Sequence, residues 1–230
     1  MSEMLEFENA SALDIALSEK VAGLLGGSID ARGDASLVVS GGRTPMGFFH
    51  LLSQQSLDWS KVTILLADER WVDADHADSN EKLVRENLLI NEASKATYLA
   101  LKNSADQAVD GEAECASALA ELDAFTVVIL GMGDDGHTAS LFPGSDALAA
   151  GLAMDSGRDC IAVTPLHAPH QRMSLTLPRL LNSQQIVIHI SGMSKQQVLN
   201  QANSGDDVME LPIRAILQQQ QAPLSIYWAK

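Results

Sequence analysis

Short runs of β-branched and aliphatic residues alternate along the chain with longer stretches whose apolar positions recur at helical spacing. This is the pattern of βα units built around a mostly parallel sheet. The apolar runs predict strands at residues 37–40, 62–67, 96–99, 125–130, 160–163, 186–190 and 224–228. Two of them, TVVIL and IVIHI, are apolar nearly throughout, as strands covered on both faces are. Helices are predicted over 11–25, 46–52, 79–89, 105–122, 194–201 and 212–217. No internal repeat, Pro-rich linker or domain boundary interrupts the alternation; the Gln218–Gln221 run reads as a solvated helix end.

Composition narrows the picture. At 230 residues the length suits one large α/β domain, expected to span 1–230, although two small domains also fit. With 46% hydrophobic and 20% charged residues the chain can bury a core and is not of the disordered class. A net charge of −15 repels polyphosphate backbones and anionic membranes, so neither nucleic acid nor membrane is an expected partner. Cys115 and Cys160 have no CxxC spacing, which suggests neither a disulfide framework nor a zinc site and fits a reducing cytoplasm. The acidic start MSEMLEFENA lacks the basic and apolar regions of a secretory leader, and no apolar run is long enough for a bilayer.

Ligands of open α/β sheets bind beyond the carboxyl ends of the strands, which directs attention to three segments. Ser40-Gly41-Gly42-Arg43-Thr44-Pro45 follows a strand and precedes an apolar helical stretch. Its glycines let a ligand approach the backbone, Thr44 suits an N-cap, and Pro45 suits the first helical position. Free N–H groups, the helix dipole and the charge of Arg43 make phosphate the natural ligand. A tight turn without a ligand is the plainer alternative; the spacing is neither a P-loop nor a GxGxxG fingerprint. The second segment, Leu66-Ala67-Asp68-Glu69-Arg70-Trp71, brings three charges to a strand end. There Asp68 or Arg70 can face a pocket, or the group can be a surface ion pair with an N-cap.

The third segment, GMGDDGHTASLFPG from Gly131 to Gly144, is the richest in the chain. His137 stands among glycines and aspartates, poorly suited to core packing. A neutral histidine can take a proton near pH 7, and a neighbouring carboxylate such as Asp135 can orient the ring; a loop histidine capping the next helix is the alternative. No third ligand at a familiar spacing accompanies the pair, so no metal is expected there. Arg172 precedes an SLTLP run, and Lys195 opens a helix, where a cation opposes the dipole unless an anion is bound. Alone, both fit ordinary solvated side chains. His167 and His170 lack an evident carboxylate partner and are expected to be exposed. His189 is expected to be a hydrogen-bonded core histidine, and Trp59, Trp71 and Trp228 to pack.

Taken in order, SGGRTP, LLADERWV with the following DSN, GMGDDGHTASLFPG, RMSLTLP and SGMSK resemble the motif series of the 6-phosphogluconolactonases, over nearly the whole chain from Leu37 onward. The resemblance implies a doubly wound, Rossmann-like fold of the glucosamine-6-phosphate deaminase type. It implies cofactor- and metal-free hydrolysis of 6-phospho-D-glucono-1,5-lactone to 6-phosphogluconate, the second step of the oxidative pentose phosphate pathway, by a cytoplasmic monomer or homodimer. By the same resemblance His137 is the general base supported by Asp135, Asp68 and Arg70 are active-site residues, and Gly41, Gly42, Arg43, Thr44, Arg172 and Lys195 bind the substrate phosphate. The related deaminases carry a catalytic glutamate where this chain has Phe142. A deaminase-like isomerase and a non-catalytic sugar-phosphate sensor are the alternatives. Many family members carry prolines where this chain reads VDADHADSN, which leaves the role of His76 open.

Overall fold

The computed structural model describes residues 3–230; Met1 and Ser2, at the head of the acidic N-terminal stretch, lie outside it. In chain order the strands are β1 (Glu3–Phe7), β2 (Ala35–Val39), β3 (Val62–Leu66), β4 (Asp68–Arg70), β5 (Thr97–Leu99), β6 (Val127–Leu130), β7 (Cys160–Val163), β8 (Arg172–Leu175), β9 (Ile186–Ser191) and β10 (Leu224–Ala229). The α-helices are α1 (Ala10–Arg32), α2 (Met46–Leu52), α3 (Asn80–Asn87), α4 (Ala108–Ala120), α5 (Leu148–Leu152), α6 (Leu177–Leu181), α7 (Met193–Asn203) and α8 (Ile213–Leu217).

Seven strands form one sheet in the order β1-β10-β9-β6-β2-β3-β5, parallel at every pairing. From β2 the chain adds β3 and β5 on one side, then returns to add β6, β9 and β10 on the other. The order therefore reverses between β2 and β6, the doubly wound arrangement expected. Strands β2, β6 and β10 are buried at every position, so both faces of the sheet are covered, as their unbroken apolar composition requires. The core includes Phe48, Phe49, Trp59 and Phe125, all fully buried, and Trp71 and Trp228 also pack into it.

Departures from the expected elements have identifiable causes. Helix α1 runs through Gly26 and Gly27 to Arg32, beyond the expected end at residue 25. Burial of Leu25 and Ser28 and a left-handed cap at Gly33 outweigh a propensity cost of about 1 kcal/mol per glycine. Strand β1 is an acidic edge strand with three of its five residues exposed and none fully buried, so it lacks an apolar signature. Helix α2 is capped by Pro45 and not by Thr44: the Pro45 carbonyl accepts the Phe49 N–H at 2.8 Å, and no side chain caps the turn. Strand β7 does not join the parallel sheet. It lies in a second, antiparallel sheet of order β4-β8-β7, two strands of which begin or consist of charged residues and were not expected.

Glu69 joins this small sheet to α3. Its side chain accepts the N–H groups of Arg70 (2.6 Å), Asn80 (2.8 Å) and Glu81 (2.7 Å) and the Ser79 hydroxyl (3.1 Å). Burial pushes its pKa up while those N–H groups pull it down, the burial dominating. Glu69→Ala strands the N–H groups of Asn80 and Glu81 in the interior and is expected to cost roughly 2–4 kcal/mol. The check is a lower urea midpoint at unchanged m value; an unmoved midpoint contradicts the role.

Candidate active site

The loops after β2 and β6 leave the sheet where its strand order reverses, and a cleft opens between them. Ser40 closes its base: its hydroxyl donates to the Ile129 carbonyl (3.2 Å) and accepts the Gly131 N–H (3.3 Å). The cleft, of about 360 Å³, is lined by Gly41, Gly42 and Thr44 of the glycine turn, by Asp68, Arg70 and Arg172 of the small sheet, and by His137 and Lys195, among others. Gly42 turns the backbone at φ +93°, and a side chain at Gly41 would collide with Asn80, whose amide donates to the Asp68 carbonyl at 2.9 Å. Asn80 thus packs the glycine turn against the second sheet. The exposed side chain of Arg43 and that of Asp135 lie outside the lining, unlike the other expected site residues.

His137 is held from behind. Its Nδ1 lies 2.5 Å from Asp135 Oδ1, and its own backbone N–H donates to the same oxygen at 3.1 Å. The hydrogen bond from His137 holds the Asp135 carboxyl below its usual range, so the carboxylate is the acceptor and Nδ1 carries the proton. Nε2 is then the free base. Gly133 is required here, because a Cβ at that position would stand 2.1 Å from Nδ1. The Phe142 ring packs against the imidazole with centroids 4.3 Å apart. Asp68, nearly buried, accepts the Ser140 hydroxyl at 2.5 Å, and Ser140 N–H donates to Ser174 Oγ at 3.1 Å, which ties the histidine loop to β4 and β8.

Arg70 and Arg172 are direct partners across β4 and β8. Like charges set opposite each other in a ladder are unfavourable. Burial, and then the charge of Arg70, hold the Arg172 guanidinium below its usual range. Their Nη groups donate to the Asp78 carbonyl (2.5 Å) and the Pro169 carbonyl (3.2 Å) respectively, while the Nε atoms of both are buried with no acceptor. Such a pair is suited to an anion of more than one charge. Lys195, in the first turn of α7, has its counter-charge from the protein: Nζ lies 2.7 Å from Asp134 Oδ1. That aspartate, and the Ser140 and Asn80 contacts, were not anticipated; only the quoted DSN run drew attention near Asn80.

The profile of the family described as "Glucosamine-6-phosphate isomerases/6-phosphogluconolactonase" matches residues 8–228. The chain belongs to this family. It is 45% identical over 224 residues to the 6-phosphogluconolactonase of Rhizobium meliloti, covering 97% of each chain. It is 43% identical over 223 residues to that of Pseudomonas putida, covering 97% of this chain and 91% of the relative. A crystal structure of a 6-phosphogluconolactonase from Shewanella baltica superposes with a TM-score of 0.98 at 47% identity, covering 100% of this chain and 98% of the other. A monomeric glucosamine-6-phosphate deaminase shares the fold, with a TM-score of 0.80 at 17% identity. The family membership and fold expected from the motif series are thereby established.

Behind the family's glycine turn lies a buried pair that the motifs do not include. His189 is buried as expected, but its ring makes no hydrogen bond among the described residues: Nε2 stands 3.7 Å from Asp14 Oδ1, and the ring meets Phe48 edge-on at 6.0 Å. Burial raises Asp14 from 3.8 to about 6 and lowers His189 from 6.5 to about 4. The Asp14 cost is absent below its unfolded pKa and complete above about pH 6, whereas the His189 cost grows as pH falls from 6.5 to 4. Asp14→Asn removes the first alone. Relative to the parent its stability is expected to rise from near parity at about pH 4 to a gain of roughly 1–3 kcal/mol at about pH 8, read by urea unfolding at both pH values. A gain that is equal at both contradicts the assignment.

Proposed function

We propose that the chain is a 6-phosphogluconolactonase, opening 6-phospho-D-glucono-1,5-lactone to 6-phosphogluconate. His137 Nε2 takes a proton from water as the water oxygen bonds to the lactone carbonyl carbon. The bond from that carbon to the ring oxygen then breaks, and the imidazolium returns the proton to the leaving oxygen, which becomes a hydroxyl. Asp135 stabilises the imidazolium and fixes Nδ1 as the protonated nitrogen. Asp68 holds the wall of the site through Ser140.

The observation that carries this reading is the facing pair Arg70 and Arg172, both lining the cleft that His137 also lines. A phosphate dianion relieves the repulsion between the guanidiniums. Arg70 therefore joins Arg172, Lys195 and the Gly41, Gly42 and Thr44 turn as phosphate ligands; the exposed side chain of Arg43 lies outside the lining. Phe142 against His137 disfavours the deaminase reaction, which needs a further acid–base group at that place. The same reading takes residues 1–230 as one domain and the enzyme as a cytoplasmic monomer or homodimer; among the described residues no helix is long and apolar enough to cross a membrane.

The test is the disappearance of freshly made lactone, corrected for spontaneous hydrolysis. His137→Ala is expected to lower kcat by about 10²–10⁴ with the fold intact, and Arg172→Ala to act mainly on KM. Acceleration by the histidine variant equal to the parent's discards the base. No acceleration by intact protein that still binds 6-phosphogluconate points to a sensor.

A further inference from the structure

His76, Asp78 and His170 each offer one ligand atom, and these atoms all lie within 4.8 Å of one another. His170 Nε2 is 3.0 Å from Asp78 Oδ2, and His76 Nδ1 is 3.9 Å from the same oxygen. None of the three lines the catalytic cleft. The expectation that His170 has no carboxylate partner is therefore corrected: the partner, Asp78, is remote in sequence but adjacent in space. The geometry points to a binding site for a divalent transition-metal ion, of which Zn²⁺ is the simplest example, formed by His76, Asp78 and His170.

Ligand separations support the assignment. Tetrahedral zinc with bonds near 2.0–2.1 Å holds its ligand atoms about 3.3–3.5 Å apart, a value that the two measured separations bracket. Small side-chain rotations close the set. His76 Nδ1 accepts the Asp78 N–H at 3.1 Å, so it carries no proton and can turn to a metal. His170 Nε2 and Asp78 Oδ2 share a hydrogen that a metal replaces, with the imidazole proton moving to Nδ1 or to solvent. Two imidazoles with one carboxylate select zinc, cobalt or nickel over magnesium and calcium, which favour all-oxygen sets. The side chains are 46%, 53% and 28% exposed, so an ion can enter and a water can take the fourth position. The net charge of −15 favours a cation over the whole surface.

The site joins two segments that hold the arginine pair. The Asp78 carbonyl accepts from Arg70, and the Pro169 carbonyl, next to His170, accepts from Arg172. Metal bound here is a clasp between the loop before α3 and the loop before β8. It is independent of the proposed reaction, because neither His137 nor Asp135 contributes a ligand.

The experiment titrates zinc chloride, and separately magnesium chloride, into chelator-treated, untagged full-length protein by calorimetry. The expected result is saturable zinc binding near one ion per chain, no comparable magnesium binding, and a zinc-dependent rise in Tm. His76→Ala and His170→Asn are expected to weaken zinc binding by at least about tenfold; asparagine is chosen because His170 sits at φ +69°. In the unmodified protein, zinc should shift the histidine ring-proton resonances of His76 and His170 while leaving those of His137 in place, a readout that needs no variant to fold. No saturable zinc binding, undiminished affinity in folded variants, or shifts confined to His137 each overturn the site.

Discussion

The reversal of strand order between β2 and β6 is the constraint on which the site depends. Neighbouring parallel strands whose chains depart in opposite directions cannot have their following loops packed together, so a crevice is unavoidable at that edge. Ser40 bridges the last backbone groups before the loops separate, and the glycine turn and the GDDGH loop form the two walls. The small antiparallel sheet supplies a third. It is joined to the histidine loop by Asp68–Ser140 and Ser140–Ser174, and to α3 by Glu69, so histidine and arginines are set by one buried polar network. Within such a network each unpaired member costs more than a lost surface contact.

The parallel sheet was legible because burial on both faces demands apolar strands, and those runs stand out in the sequence. The small sheet was not, since β4 is Asp-Glu-Arg and its burial rests on hydrogen bonds that only the folded chain provides. The same limit governs the site. SGGRTP, DER and the GDDGH loop could be found by their position after strands, and His137 with Asp135 by proximity in sequence. The Arg70–Arg172 pairing and the Asp78–His170 contact join distant segments, and periodicity carries no information about either. For Lys195, the conflict with the helix dipole pointed to a bound anion; within the chain its counter-charge is Asp134, which the sequence reading did not foresee.

Net charge and local field have opposite signs in this molecule. The chain carries −15 overall, yet the cleft gathers Arg70, Arg172 and Lys195. Only Lys195 has a carboxylate at contact distance; the arginines are bonded to backbone carbonyls, which orient a guanidinium without neutralising it. Asp78 is turned so that its carbonyl meets Arg70 while its carboxylate faces His170. The positive potential at the arginine pair is therefore not cancelled by a carboxylate in contact, in a chain that is acidic overall.

The histidine environment bears on which reaction this fold performs. An imidazole whose Nδ1 is held by a carboxylate has one basic nitrogen left, enough to deprotonate water but not to move protons between two positions of an opening sugar ring. That second task needs another titratable group, and at the position where the deaminases carry a glutamate this chain has Phe142, packed against the imidazole. Phenylalanine in place of the deaminases' glutamate thus withholds from the site the second acid–base group that isomerisation needs.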